Sequence, residues 1–221
     1  MATVGKWFGF SEDEIYEQAL SEFEQGHFDE AIDAFHACSD TSDPRLQRLA
    51  RHYLVQCKAG QGLSLLRSGN ATAASAAYCD ALALAPNFPD LHLGLARAYR
   101  AQGDRIRALA EIESALAINA LYVEAVLLKG IVLYEGGQTS EGWQEFEKAL
   151  QLDPSLAGED FDYARSRHRE ADHVRAIASI ERLQSPGAAE AQLHGRVASN
   201  YLRHGKYQQA CIVFERALEF A

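Results

Sequence analysis

Hydrophobic residues recur at intervals of three and four along most of the chain, in runs that glycines interrupt. Leu91, Leu95 and Ala98 form one such run, and Ile112 and Leu116 belong to the next. This spacing predicts amphipathic helices. We expect a tight turn at each interrupting glycine, because glycine adopts the positive φ angles that end a helix without steric cost.

The hydrophobic pattern repeats with a period of 34 residues. The copies are centred on Gly69, Gly103, Gly137 and Gly205, and two weaker copies are centred on Gly26 and Ala171. A small residue lies five positions after the central residue of each copy, and a larger side chain lies nine positions after it, as at Tyr78 and Phe146. One pair of helices cannot bury its apolar face alone, so the pairs are expected to stack.

The period divides the chain into a short leader at 1–11 and a repeat array at 12–221. The predicted repeats lie near 12–45, 55–88, 89–122 and 123–156, followed by a degenerate repeat at 157–190, a final repeat at 191–221, and an insertion at 46–54 within the array. The insertion is expected to lengthen the first helix of the second repeat.

Two segments show the pattern most clearly: LGLARAYRAQGDRIRALAEIESALAINA and LKGIVLYEGGQTSEGWQEFEKALQLDP. They resemble the tetratricopeptide-repeat family. The resemblance implies an all-α fold, a right-handed α-superhelical solenoid of helix-turn-helix repeats. It also implies that the first helix of each repeat lines a concave groove, which binds an extended segment of a partner protein.

The resemblance further indicates which positions of each first helix face the groove. Twelve of these residues are predicted to bind a peptide: Leu63, Leu66, Arg67, Leu93, Arg97, Arg100, Leu127, Ile131, Tyr134, Phe161, Arg165 and Arg169. Planar guanidinium groups beside apolar side chains suit a peptide that carries carboxylates and large apolar residues. Gly60, Gly94 and Gly195 would let the peptide backbone approach. Alternatively, the arginines only keep an exposed helix face soluble.

Composition and charge narrow the function classes. Hydrophobic residues make up 48% of the 221 residues, enough for a buried core, and the net charge is −10. That charge argues against general nucleic-acid binding, which depends on Lys and Arg. No apolar run reaches the ~18 residues of a membrane span, and no secretory signal is evident. We therefore expect a cytoplasmic protein with a protein partner.

Residues 1–44 contain eleven acidic residues and one basic residue, which accounts for the whole net charge. Arg45, Arg48 and Arg51 follow on one helix face. We expect these arginines to meet the acidic first repeat within the molecule; otherwise that repeat is an acidic face for a basic partner. The leader aromatics, Trp7 to Phe10, either fold onto the first repeat or form an exposed peg.

The sequence contains no catalytic motif and no phosphate loop, so we expect no enzyme activity and no cofactor. Glu170 and His173 have metal-ligand spacing but lack a second matching pair, so no metal site is predicted. His92 and His194 are interpreted as hydrogen-bonded core residues. The four cysteines are interpreted as small core residues: Cys38, Cys57, Cys79 and Cys211.

The sequence ends directly after a predicted second helix, without a polar capping helix. This leaves two alternatives to an adaptor that binds a partner's peptide. The chain could be a scaffold that self-assembles through its C-terminal end as a homo-oligomer, or it could be the regulatory region of a larger enzyme.

Overall fold

The computed structural model describes residues 12–39 and 43–183. The fold is an all-α helical repeat, and no strand occurs in these described ranges. Over the same residues, no helix has both the length and the apolar character needed to cross a membrane. The leader, the final repeat and the C-terminal end lie outside the described residues, as do the predictions made for them.

The chain divides into two compact units, residues 1–120 and 121–221. The described helices of the first unit are α1 (Glu12–Glu24), α2 (Phe28–Ser39), α3 (Pro44–Arg67), α4 (Ala71–Leu84), α5 (Pro89–Ala101) and α6 (Arg105–Ile118). Each of the first five packs against the next helix, and α3 also packs against α5. At 24 residues α3 is the longest of these helices, because the insertion continues its helical pattern without a break.

The helix ends follow from the residues around each repeat glycine. Gly103 has φ +77, its N–H donates to the Arg100 carbonyl at 2.9 Å, and the Asp104 N–H donates to the Tyr99 carbonyl at 2.9 Å. These two bonds satisfy carbonyls that the end of α5 would otherwise leave free. The Asp104 side chain then accepts from the Arg107 N–H at 3.0 Å and so caps the start of α6.

The first unit has an aromatic core at its N-terminal end and an aromatic contact between its repeats. Phe35 stacks on Tyr53 with ring centroids 5.2 Å apart. Further along, Tyr78 is buried with Leu91 and Leu95 in a second cluster. The large residue nine positions after the repeat glycine therefore fills the space between neighbouring repeats, as the pattern predicts.

The second unit begins with helices α7 (Val123–Glu135) and α8 (Thr139–Leu152). A short 3₁₀ turn (Pro154–Leu156) leads to α9 (Glu159–Arg169) and α10 (His173–Leu183). Helices α7 and α8 approach closely at Gly130 and Gly142, since a Cβ at Gly142 would lie 2.7 Å from the Gly130 carbonyl oxygen. Between α9 and α10, Ala171 has φ +57 where the other described repeats have glycine.

The cysteines divide between core and surface. Cys38 and Cys57 are buried, as expected, and burial raises the pKa of the Cys57 thiol to about 11. Cys79 is exposed, so its interpretation as a core residue is wrong. Helix α4 buries Ala74, Tyr78 and Ala81, whereas Cys79 stays exposed beside Tyr99 of α5. Cys211 lies outside the described residues.

Candidate functional site

The first unit places five of the predicted peptide-binding residues on neighbouring first helices. Leu63, Leu66 and Arg67 lie on one face of α3, at i, i+3 and i+4, and Arg97 and Arg100 lie on one face of α5. Leu63 is 41% exposed and Arg67 is also exposed, whereas the other three are half-buried. We call these five residues the arginine face.

Tyr78 links the two helices of the arginine face. Its ring packs against α3 at Gly62, where a Cβ would lie 2.8 Å from the ring, and against α5 at Gly94, where a Cβ would overlap the ring. Burial raises the pKa of Tyr78, and the guanidinium groups of Arg97 and Arg67 act in the opposite direction. Two arginines from neighbouring repeats therefore act electrostatically on one phenol group.

The glycines on these first helices serve packing and not ligand approach. A Cβ at Gly60 would lie 2.5 Å from the ring of Phe28, just as one at Gly94 would overlap Tyr78. The expectation that Gly60 and Gly94 admit a peptide backbone is therefore wrong, because aromatic side chains of second helices already occupy the space beside them. Gly195 lies outside the described residues.

The remaining apolar residues predicted to bind a peptide are buried. Leu93, Leu127, Ile131, Tyr134 and Phe161 each have at most 3% of their surface exposed. Side chains this deeply buried contribute to the core and offer no surface to a peptide in this structure. They drop out of the candidate site.

The two predicted arginines of the second unit lie on α9. Arg165 Nη1 lies 3.1 Å from Asp162 Oδ1, and its guanidinium group lies 5.2 Å from the ring centroid of Phe161. Arg169 is exposed. The predicted apolar residue beside them, Phe161, is buried. The predicted site residues of the second unit therefore offer charge but no apolar anchor.

In the described part of the chain, Arg48 and Arg51 bond to backbone carbonyls and not to acidic side chains of the first repeat, contrary to expectation. Arg48 Nε donates to the Pro44 carbonyl at 3.2 Å, and an Arg51 Nη2 donates to the Leu84 carbonyl at 3.2 Å. The contact between α3 and the first repeat is made further along the helix, where Gln61 Nε2 donates to Asp29 Oδ1 at 2.6 Å. Arg48 therefore bonds within its own helix, and Arg51 bonds to the last residue of α4.

His92 is hydrogen-bonded through both ring nitrogens. Its Nδ1 lies 2.7 Å from Glu111 Oε2, and its Nε2 lies 3.1 Å from the Pro86 carbonyl oxygen. This supports its interpretation as a satisfied packing residue. His194 lies outside the described residues.

Glu170 and His173, which have the spacing of metal ligands in the sequence, make other contacts. Glu170 pairs with Arg167 at 2.7 Å, and His173 bonds to Tyr134. Over residues 12–39 and 43–183, no group of three or more His, Cys, Asp or Glu residues could hold a metal ion.

The sequence pattern missed a ring cluster in the second unit. Tyr134, Trp143, His168 and His173 come from four different helices and contact one another. The 34-residue separation of Tyr134 and His168 in the chain is the only signal that could have indicated this contact, since one repeat period brings residues to equivalent places on neighbouring repeats.

Comparison with known proteins gives one family. A tetratricopeptide-repeat model matches residues 60–104 and 93–157. The TPR repeat-containing protein YpiA of Bacillus subtilis is 25% identical over 158 residues, which are 72% of this chain and 37% of YpiA. The chain thus spans well under half of the length of this curated relative.

Two solved structures share the fold. A tetratricopeptide repeat protein from Parabacteroides merdae aligns with a TM-score of 0.51 at 17% identity, over 95% of this chain and 93% of that chain. Aspartyl phosphate phosphatase F from Bacillus subtilis aligns with a TM-score of 0.54 at 13% identity, over 95% of this chain and 59% of that chain. At these identities the similarity concerns the helical repeat architecture alone.

Proposed function

Because this chain belongs to the tetratricopeptide-repeat family, a fold that generally supports protein interaction, we propose that it is a non-catalytic adaptor. Its ligand would be an extended, acidic-apolar segment of a partner protein, held on the arginine face of the first unit. The binding mechanism forms no covalent bond. It relies on two helices whose separation is already fixed before the partner arrives.

The observation that carries this proposal is the packing of Tyr78 against both α3 and α5, the helices that carry Arg67 and Arg97. The two guanidinium groups come from neighbouring repeats, and buried ring packing at Gly62 and Gly94 holds their helices together. A carboxylate entering between them would receive charge-assisted hydrogen bonds from donors on two helices whose separation is fixed by this packing. Such preorganisation lowers the entropy lost on binding.

The other members of the arginine face favour an alternating ligand. Leu63 presents exposed apolar surface one helical turn before Arg67, and Leu66 adds a half-buried apolar surface beside it. A peptide with one carboxylate near an apolar side chain could use both kinds of surface at once. The arginines would contribute orientation and association rate, and the leucine would contribute apolar burial.

The proposal is tested with two pools of extended peptides, one pairing Asp and Glu with Leu and Phe, the other pairing Lys and Arg with the same apolar residues. We expect the wild-type chain to select the acidic pool. Reversing two charges in Arg67→Glu/Arg97→Glu should lower the affinity for the selected peptides by about tenfold or more, because two charge-assisted hydrogen bonds become repulsive contacts. Binding would be measured by isothermal titration calorimetry.

The matched control is Arg45→Glu/Arg48→Glu, which makes the same charge change on exposed residues near the start of α3. It should leave affinity for the selected peptides within about twofold, because both residues lie outside the arginine face. Circular dichroism would confirm that both variants keep their helical content. Equal weakening by the two variants would show that only net charge matters, and equal binding of the two peptide pools would refute the acidic-apolar ligand.

A further inference from the structure

Four helices of the second unit contribute one ring each to a compact cluster. His168 on α9 stacks on Trp143 on α8, with ring centroids 4.5 Å apart and planes 8° apart. Tyr134 on α7 lies between His168 and His173, its ring centroid 5.7 Å from the first and 5.2 Å from the second. We call these four residues the histidine–tyrosine cluster. It joins the degenerate repeat to helices α7 and α8.

One hydroxyl group bonds to both histidines. The Tyr134 hydroxyl oxygen lies 2.6 Å from His168 Nδ1 and 3.1 Å from His173 Nδ1. A phenol hydroxyl has one proton to donate and lone pairs that accept, so the two nitrogens cannot both be acceptors. We assign the short bond to Tyr134 donating to a neutral His168, and the longer bond to His173 donating its Nδ1–H to Tyr134.

We propose that the histidine–tyrosine cluster is an acid-sensitive latch, which holds α9 and α10 against α7 and α8 while His168 is neutral and releases them when it is protonated. A proton on His168 Nδ1 turns the acceptor of the short bond into a donor. The short bond must then reverse, and the Tyr134 hydroxyl proton has an acceptor in the cluster only when His173 gives up its Nδ1 proton and takes the other tautomer. The latch does not depend on the proposed peptide-binding face, which lies in the first unit.

The charged groups that face His168 oppose its protonation on balance. Burial and the positive charges of His173 on α10 and Arg169 on α9 lower the pKa of His168, whereas Glu147 on α8 acts in the opposite direction. Glu147 also accepts a hydrogen bond from Trp143 Nε1 at 3.0 Å. From α7 the facing group is Tyr134, whose pKa burial raises, so its phenol stays neutral.

The direction of the pH effect follows from this environment. Unfolded His168 binds its proton near the ordinary histidine value of about 6.5, whereas the docked repeat binds it only at lower pH. Docking is therefore at full strength above about 6.5 and weakens as pH falls toward the lowered pKa, because the released state binds more protons. Acid should loosen α9 and α10 before it affects repeats that lack such a cluster.

The test is amide hydrogen exchange of the full chain at about pH 7.5 and about pH 5.5, corrected for intrinsic exchange rates. In the wild-type chain, we expect amides of α9 and α10 to lose protection more than amides of α5 and α6 at the lower pH, by up to about tenfold. His168→Gln keeps an oxygen that can accept from Tyr134 but does not titrate, so it should reduce this difference to about twofold or less.

Two further variants keep the test decisive. His173→Gln removes a positive neighbour and should shift the midpoint of the acid response to higher pH, an effect that loss of packing alone would not produce. His36→Gln changes an exposed histidine on α2 and should leave the response unchanged. A wild-type response that persists in His168→Gln, or equal protection of α9 and α10 at both pH values, would overturn the proposal. If His168→Gln fails to fold, an unshifted midpoint of the acid response in His173→Gln would overturn the proposal instead.

A spectroscopic readout follows from the stacked pair. The chain has two tryptophans, so Trp7→Phe leaves Trp143 as the single tryptophan fluorophore. Its fluorescence should titrate with the same midpoint as the exchange response in the otherwise wild-type chain. The titration should vanish in Trp7→Phe/His168→Gln, and a titration that persists there would place the sensing group elsewhere.

Discussion

At the scale of single residues, the fold depends on contacts between an aromatic ring and a glycine. The ring occupies the space that a side chain at the glycine position would need. Tyr78 fits beside Gly62 and Gly94, and Phe28 fits beside Gly60. In each pair the glycine lies within a helix, where it costs about 1 kcal/mol of helix propensity relative to alanine. For Tyr78 the cost is offset because its buried ring contacts two helices at once and fixes their separation.

We predict that Gly94→Ala destabilises the first unit by about 1–3 kcal/mol, because the new methyl group overlaps the Tyr78 ring, which cannot move toward Gly62 to make room. Urea denaturation followed by circular dichroism would measure the change. Gly136→Ala is the matched control: Gly136 is exposed with φ −76, so alanine fits and should stabilise by about 0.4–1 kcal/mol. Equal effects of the two substitutions would contradict the packing explanation.

At the scale of helical elements, the turn between the two helices of a repeat is set by one backbone angle. The angle φ lies between 77 and 85 at four turn glycines: Gly26, Gly69, Gly103 and Gly137. Among the described residues that are not glycine, only Ala171 has a positive φ. A left-handed conformation costs an L-residue about 1–2 kcal/mol. The degenerate repeat therefore keeps the turn geometry of its neighbours and carries the strain of having lost the glycine.

Ala171→Gly should remove this strain and stabilise the degenerate repeat by up to about 1 kcal/mol, after the entropy that glycine adds to the unfolded chain is subtracted. Thermal unfolding followed by circular dichroism would measure it. The reciprocal substitution, Gly137→Ala, should destabilise by a similar amount, because its φ of +85 would be imposed on alanine. A lower unfolding temperature for Ala171→Gly would refute the strain.

At the scale of the whole molecule, the repeats differ in how much core they contribute. Helix α7 buries eight residues, whereas α9 buries only Phe161 and Ala164. Helices α9 and α10 are also short, at 11 residues each. In repeat proteins, stability is approximately the sum of the stability of each repeat and of its contacts with its neighbours. By this measure the degenerate repeat is weaker than the repeat formed by α7 and α8.

We predict that at neutral pH the amides of α9 and α10 exchange faster than those of α7 and α8, and faster than those of α5 and α6. Local opening requires less buried apolar surface to be exposed there. Hydrogen exchange read by mass spectrometry would give the order. Equal protection across these six helices would show that the described repeats unfold as one cooperative unit.

The sequence alone predicted the helical repeats because their signals are local. Apolar spacing of three and four marks each helix, and the glycine at each turn, such as Gly103, meets a requirement of the backbone itself. The small residues that let helices approach and the large residue between repeats, such as Tyr78, were also readable, because they recur at fixed distances from that glycine.

Only the tertiary structure decided which residues of a first helix are accessible. Leu63 and Leu127 have equivalent hydrophobicity, yet the first is 41% exposed and the second 1% exposed. Burial depends on what the neighbouring helices present, and a one-dimensional pattern does not contain that information. The same reason explains why the sequence did not show that Arg67 and Arg97 act on one phenol group, or that Tyr134 bonds to a second histidine, His173: each depends on side-chain directions from three packed helices at once.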